Sequence, residues 1–219
     1  MTEPVFEFGK KGLPPAGEDG RLDAPAFHRN VEPIWSAIGG ILAGKSGAIL
    51  EIGSGTGQHI VTFAGRCPHL TFWPSDIVES HRASIEAYRQ AVDLDNLRAP
   101  LDIDLMRPDW AWDGGELAAI LCFNVIHIAP WVVTENLMHG AGRHLKPGSH
   151  LLMYGPYKRD GAHTAPSNQA FDASLRGRNP AWGVRDLEAV ADLADANGLM
   201  LVKTVEMPAN NLVLAFERR

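Results

Sequence analysis

From Phe27 to Leu42 the apolar residues Val31, Ile34, Trp35, Ile38, Ile41 and Leu42 recur three or four apart, which predicts a helix with one buried face. The period then changes. Ala48-Ile49-Leu50-Glu51-Ile52 is a short apolar run between glycines, the pattern of a strand buried in a parallel sheet. Helical spacing returns in His59 to Arg66 through Ile60, Phe63 and Ala64, and again in Glu79 to Val92 through Ile85, Tyr88 and Val92. Between them Leu70-Thr71-Phe72-Trp73 reads as a second strand, and Leu97 to Leu101 as a weaker third. Leu117 to Val125 carries the strongest strand pattern. A helix stepping through Val133, Leu137, Ala141 and Leu145 follows, stopped by Lys146-Pro147-Gly148 before a strand at His150 to Tyr154.

Residues 155–183 interrupt this rhythm. They are dense in Gly, Pro, Asn and Ser, with room for one short helix around Phe171 and Leu175, and a stretch of this length predicts a lid or substrate-side insertion. Asp186 is placed to cap a helix through Leu187, Val190, Leu193 and Ala194, and Gly198 to end it. Strands at Leu199 to Met207 and Asn211 to Phe216, joined by Pro208-Ala209-Asn210, predict an antiparallel hairpin. The expected fold class is therefore α/β: a doubly wound, Rossmann-like, mostly parallel seven-stranded sheet with an antiparallel C-terminal hairpin. The expected organisation is an N-terminal arm over residues 1–26, rich in Pro and Gly, and one domain over 27–219.

Composition narrows the function classes. With 45% hydrophobic and 21% charged residues, 219 residues suffice for a core without disulfides or metal. The two cysteines, Cys67 and Cys122, sit in apolar runs without metal-ligand spacing; no metal is expected, and a reducing cytoplasm suits them. Residues 1–30 have no continuous apolar segment, and nothing approaches a membrane span. A net charge of −6 disfavours nucleic acid, whose binders neutralise phosphates, and tilts the expected partner toward a small molecule. No feature specifies an oligomeric state.

The chemistry concentrates at the carboxyl ends of the strands, where an open α/β sheet binds its ligand. The first strand ends in Glu51-Ile52-Gly53-Ser54-Gly55-Thr56-Gly57. A dinucleotide turn would need glycine at position 58, which is Gln58. Acid-x-Gly-x-Gly-x-Gly is instead the first motif of class I methyltransferases, and its acid has a physical purpose. S-adenosylmethionine presents a cationic amino group and no pyrophosphate, so its site wants negative charge. Asp76, closing the second strand, can accept both ribose hydroxyls, and Asp104, after the third, can accept the adenine amine. Asn124, at the end of the fourth strand, is a further cofactor contact. The segment Asn124-Val125-Ile126-His127 lacks the prolines and aromatic ring of base-amine methyltransferases. His127 is a candidate general base, with strand–helix packing as the alternative.

With these residues placed, the chain resembles a family of class I methyltransferase-like proteins of bacteria and animals, catalogued as a domain of unknown function. The resemblance runs from Phe27 to Phe216. It is carried by His28-Arg29-Asn30-Val31-Glu32-Pro33-Ile34, Glu51 to His59, Trp73-Pro74-Ser75-Asp76, Tyr154-Gly155-Pro156-Tyr157, the run from Asp160-Gly161 through Ser167-Asn168 to Asp172, Asn179-Pro180-Ala181-Trp182-Gly183 and Met207-Pro208-Ala209-Asn210-Asn211. It implies the fold and the cofactor, S-adenosyl-L-methionine with S-adenosyl-L-homocysteine as product, and leaves the substrate open. Within these stretches Arg29 is a candidate for the cofactor carboxylate. Tyr154 and Tyr157 are expected to flank the cavity, Tyr157 as a second catalytic candidate; His163, Asn168 and Asn210-Asn211 are expected around a polar substrate. The function expected is in-line methyl transfer to a small polar molecule. The alternatives are a protein or RNA methyltransferase, and a non-catalytic module that binds the cofactor or docks a partner through Pro130-Trp131-Val132-Val133.

Overall fold

A computed structural model describes residues 19–219, so most of the expected arm, residues 1–18, lies outside the described residues. The first helix, α1 (Pro25–Ala43), begins on a proline, whose missing N–H costs nothing in a first helical turn. It is followed by β1 (Gly47–Ile52), α2 (Gln58–Arg66), β2 (Leu70–Ser75), α3 (Glu79–Ala91), β3 (Leu117–Phe123) and α4 (Trp131–His144). The remainder is β4 (Leu145–Arg159), β5 (Ala162–His163), α5 (Pro166–Arg178), β6 (Arg185–Asp186), α6 (Leu187–Ala196), β7 (Leu199–Met207) and β8 (Asn211–Arg218).

The main sheet runs β2-β1-β3-β4-β8-β7, with the two-residue strands β5 and β6 attached to the far end of β4. Pairings β2–β1–β3–β4 are parallel, whereas β8 is antiparallel to both β4 and β7. The seventh place, beyond β2, is taken by the Leu97–Leu101 segment, which bridges β2 in parallel at Phe72↔Leu97 and Ser75↔Leu101. Pro100 has no N–H to contribute, so the ladder there is broken and no regular strand forms. From β1 the sheet is built outward in both directions, to β2 and to β3, and this switch point opens a crevice above their carboxyl ends.

All seven residues of β3 are buried, because helices cover both faces of the sheet. One core packs Leu50, Ile120, Leu137 and Val190 under α4 and α6; the other packs Ile34, Ile38, Phe63 and Phe72 under α1 and α2. Asp186 caps α6 by accepting the Ala189 N–H, and Gly198 takes the left-handed conformation that ends it. Among the described residues no helix is long and apolar enough to cross a membrane.

The stretch 155–183 is more ordered than its composition suggests. The fifth strand of the chain's own pattern, expected to stop at Tyr154, continues to Arg159, and the short helix expected near Phe171 is the 13-residue α5. A small core of Leu175, Trp182 and Val184 sits under it. Its polar anchor is the buried Asp172, which accepts the Val184 N–H at 2.7 Å and the Arg176 Nε–H at 3.1 Å, with Lys158 Nζ at 3.5 Å and His163 Nε2 at 3.3 Å.

Candidate functional site

The turn after β1 is held by its neighbours before it can hold anything else. Ser54 donates its N–H to the Ser75 carbonyl at 2.8 Å, and the Ser75 hydroxyl donates to the Glu51 carbonyl at 2.6 Å. The Asp76 carboxylate accepts the Gly55 N–H at 2.8 Å and the Val78 N–H at 2.9 Å. Gly57 has φ +92°, and a Cβ there would stand 2.9 Å from Ile85 Cγ1 and 3.1 Å from its Cα, so only glycine lets α2 start against α3. Gly55 differs: at φ +56° its absent Cβ would meet nothing within 4 Å. It faces an open cradle.

That cradle is part of a cavity of about 720 Å³ above the strand ends, lined by Arg29, Glu51, Gly53, Gly55, Asp76, Asp104, Asn124 and His127 together. The size falls within the roughly 300–1,000 Å³ of small-ligand sites. Glu51 lies at its base with 2% of its surface exposed, and its Oε2 has no hydrogen-bond partner. Burial pushes the Glu51 carboxyl up to about 7; the Ser54 hydroxyl counteracts this slightly and the nearby Asp76 charge adds to it. A half-titrated carboxyl with one oxygen unpartnered is an unusual thing to bury, and a cationic ligand would satisfy it. Asp104 lines the same cavity with Oδ1 accepting the Met106 N–H at 2.8 Å. Asn124 adopts φ +60°, a conformation asparagine tolerates, and donates its N–H to the Tyr154 carbonyl at 2.8 Å. Gly57 closes the turn without lining the cavity.

His127 also reaches the cavity, from the 3-10 turn Ile126–Ile128. Its ring meets the Phe171 ring at 5.6 Å, and β4 passes so close that a Cβ on Gly155 would stand 3.2 Å from His127 Nδ1. Burial, helped by the Arg185 charge, pushes the imidazole down to about 3. His127 is thus neutral at physiological pH and weakly basic, suited to hydrogen bonding more than to proton removal. Its NMR ring signals are expected to stay constant from pH 5 to 9, and a titration midpoint above 6 would refute this assignment.

Tyr157 is not brought to the cavity. Tyr154 and Pro156 line it, and strand side chains alternate, so a residue three after Tyr154 faces the opposite way. Tyr157 packs instead in the α4–α6 core, 1% exposed, where burial pushes its phenol well above the ordinary range. The expected catalytic role for Tyr157 is therefore corrected to core packing. His163 is likewise drawn away, to Asp172. Asn168 and Asn211 do line the cavity, and α5 is pinned to the β7–β8 turn by Asn168 Nδ2 donating to the Asn210 carbonyl at 2.8 Å.

His59 escaped the sequence reading, and so did its pairing with Asn30. His59 Nε2 lies 2.8 Å from Asn30 Oδ1, and its ring packs among Phe27, Phe63 and Phe123; burial pushes it down to about 4. Both line the cavity. The one available signal was position: a polar pair beside the glycine turn, one on the preceding helix and one in the first turn of α2.

A family described as "Protein of unknown function (DUF938)" matches residues 21–218. Solved structures share the fold at low identity. An O-methyltransferase family protein from Burkholderia thailandensis superposes with a TM-score of 0.76 at 17% identity, over 88% of this chain and 57% of that one. Magnesium protoporphyrin IX methyltransferase from Synechocystis PCC 6803, solved with bound S-adenosylhomocysteine, gives 0.66 at 15%, over 89% and 84%. Human N-acetylserotonin methyltransferase, in complex with S-adenosylmethionine, gives 0.70 at 12%, over 88% and 52%. The chain thus spans little more than half the length of the first and last of these.

Proposed function

The chain belongs to the DUF938 family of proteins of unknown function, and from that premise we propose that it is an S-adenosylmethionine-dependent methyltransferase acting on a small polar molecule. The observation that carries this reading is Glu51: a buried carboxyl with one oxygen unpartnered, at the foot of a glycine turn and facing a ligand-sized cavity. The residues fit the cofactor. Glu51 matches its ammonium group, Asp76 its ribose hydroxyls and Asp104 its adenine amine, each acid lying beyond a different strand. Arg29, exposed on α1 at the cavity wall, suits its carboxylate, and the open face of Gly55 admits its backbone. Asn124, at the β3 end, lies beside them.

When bound, this cofactor supplies a methyl group already activated on a sulfonium. The protein is left to position the acceptor in line and exclude water. The α5 clasp to the β7–β8 turn serves the second purpose and would act as the lid. His127, held neutral, would position the acceptor by hydrogen bonding.

The docking alternative loses its surface. Trp131 and Val132 are half-buried, Val133 is buried, and the Arg185 guanidinium lies over the Trp131 ring at 5.7 Å, so no apolar strip stands exposed there. Calorimetric titration of the protein with S-adenosylmethionine and S-adenosylhomocysteine tests the proposal. Micromolar binding of both is expected; no binding by folded protein would refute it.

A further inference from the structure

The cavity is electrically lopsided. Its three lining carboxylates, Glu51, Asp76 and Asp104, all stand at the carboxyl ends of β1, β2 and the Leu97–Leu101 edge, the half assigned above to the cofactor. The opposite wall, built from the end of β4, α5 and the β7–β8 turn, contributes no carboxylate to the lining. The cations behind that wall are already engaged, Arg159 among them with Glu206. Lys158 and Arg176 share the single carboxylate of Asp172. Arg185, part-buried, spends its donors on the backbone carbonyls of Ile126 at 3.0 Å, Ala181 at 2.9 Å and Ala129. The adjacent Asp186 is engaged elsewhere, by the Gly161 N–H at 2.7 Å and the α6 cap. An ammonium acceptor on this side would find no carboxylate in the lining to pair with, whereas an anion would meet no like charge there.

One donor is aimed at such an anion. Tyr154 Oη accepts Asn211 Nδ2 at 3.1 Å and faces the Asn30 carboxamide, whose own oxygen is occupied by His59. With the Asn211 amide on one lone pair, the hydroxyl keeps a proton that it can donate to a ligand in the cavity. Burial keeps that phenol protonated, above its ordinary value despite both amides and Arg29. Neither Tyr154 nor the neutral His127 is then a base at physiological pH, which suits a nucleophile that arrives already ionised.

We propose that the acceptor is a small organic acid bound as its carboxylate, with Tyr154 donating to one carboxylate oxygen and the other oxygen taking the methyl group. The inference rests on the methyltransferase reading and names its substrate class. In balance, a carboxylate oxygen forms the new C–O bond, the methyl–sulfur bond breaks, and its electron pair stays on sulfur as the neutral thioether. No proton is released, and the product is a methyl ester.

The test uses protein saturated with S-adenosylhomocysteine and three probes of one shape, benzoate, benzylamine and benzyl alcohol, titrated by ligand-observed NMR. Benzoate is expected to bind at least tenfold tighter than either of the others. Tyr154→Phe, which keeps the ring, is expected to cost benzoate at least fivefold while leaving the protein folded and S-adenosylhomocysteine affinity near wild type. Preference for benzylamine, no preference, no binding of any probe, or an unchanged benzoate affinity in Tyr154→Phe would each overturn this inference alone. Failure of S-adenosylhomocysteine to bind, seen in the first step, would overturn it together with the reading it rests on.

Discussion

Glu51→Gln is expected to make the unliganded protein more stable while disabling its cofactor site. The wild-type carboxyl is shifted from an ordinary 4.5 to about 7 because the folded protein buries its charge with no cation beside it. A raised carboxyl in the folded state means that the unfolded chain gives up this proton more readily. The cost to stability therefore grows as pH rises from about 4.5 to 7 and is complete above that. Its full size is about 3 kcal/mol, since each tenfold in proton affinity is about 1.4 kcal/mol. Glutamine keeps the shape and removes the charge. At pH 8 the variant should melt roughly 5–10 °C higher, as expected for about 3 kcal/mol in a domain of this size. Affinity for S-adenosylhomocysteine should fall about 10–100-fold, the range for a hydrogen bond to a charged group. Wild-type affinity should weaken as pH drops below about 7, because the ligand's ammonium needs the ionised form, and this dependence should flatten in the variant. Differential scanning calorimetry and titration at pH 6 and 8 read both effects. An unchanged melting point together with unchanged affinity would remove Glu51 from the site.

Asp76→Ala should have the largest effect on binding, for a different reason. Its carboxylate is 7% exposed and holds the Gly55 and Val78 N–H groups, so it shapes the turn as well as facing the cavity. Removing it takes away a ribose partner and leaves two amides short, each worth about 1–3 kcal/mol. Affinity for S-adenosylhomocysteine should fall more than about 100-fold, and the protein should melt at lower temperature, the reverse of Glu51→Gln. Asp76→Asn, which retains one acceptor oxygen, should lie between. 5′-Methylthioadenosine separates the two acids, because it has the ribose but no amino-acid end. Asp76→Ala should lose it and Glu51→Gln should keep it. Equal losses in both variants would mean that the acids act only by supporting the fold.

The opposite stability signs of these two variants reflect how differently the two acids are housed. Both can be picked out from the sequence, since an acid closing a buried strand stands out against apolar neighbours. Their environments cannot. Asp76 accepts the Gly55 N–H from the turn 21 residues earlier and the Val78 N–H two residues later, whereas Glu51 Oε2 is left with nothing. The difference arises from how β1 and β2 lie side by side, and no local pattern encodes it.

Strand periodicity and glycine placement sufficed for the doubly wound sheet, the reversed terminal hairpin and the motif at the end of β1. These features rest on short-range physics: alternation, turn conformations that only glycine adopts cheaply, and the stop signals of helices. The same alternation already separated Tyr157 from Tyr154, had the strand been extended three residues past its apolar stretch. What the tertiary structure alone decided was which distant groups share one space. It brought Asn30, His59, Tyr154 and Asn211 from four separate elements into contact, buried His127 until it lost its basicity, and gathered the three carboxylates of the cavity on one side. Desolvation and long-range contact govern these outcomes. Both depend on residues far apart in the chain, so neither exists until the chain has folded.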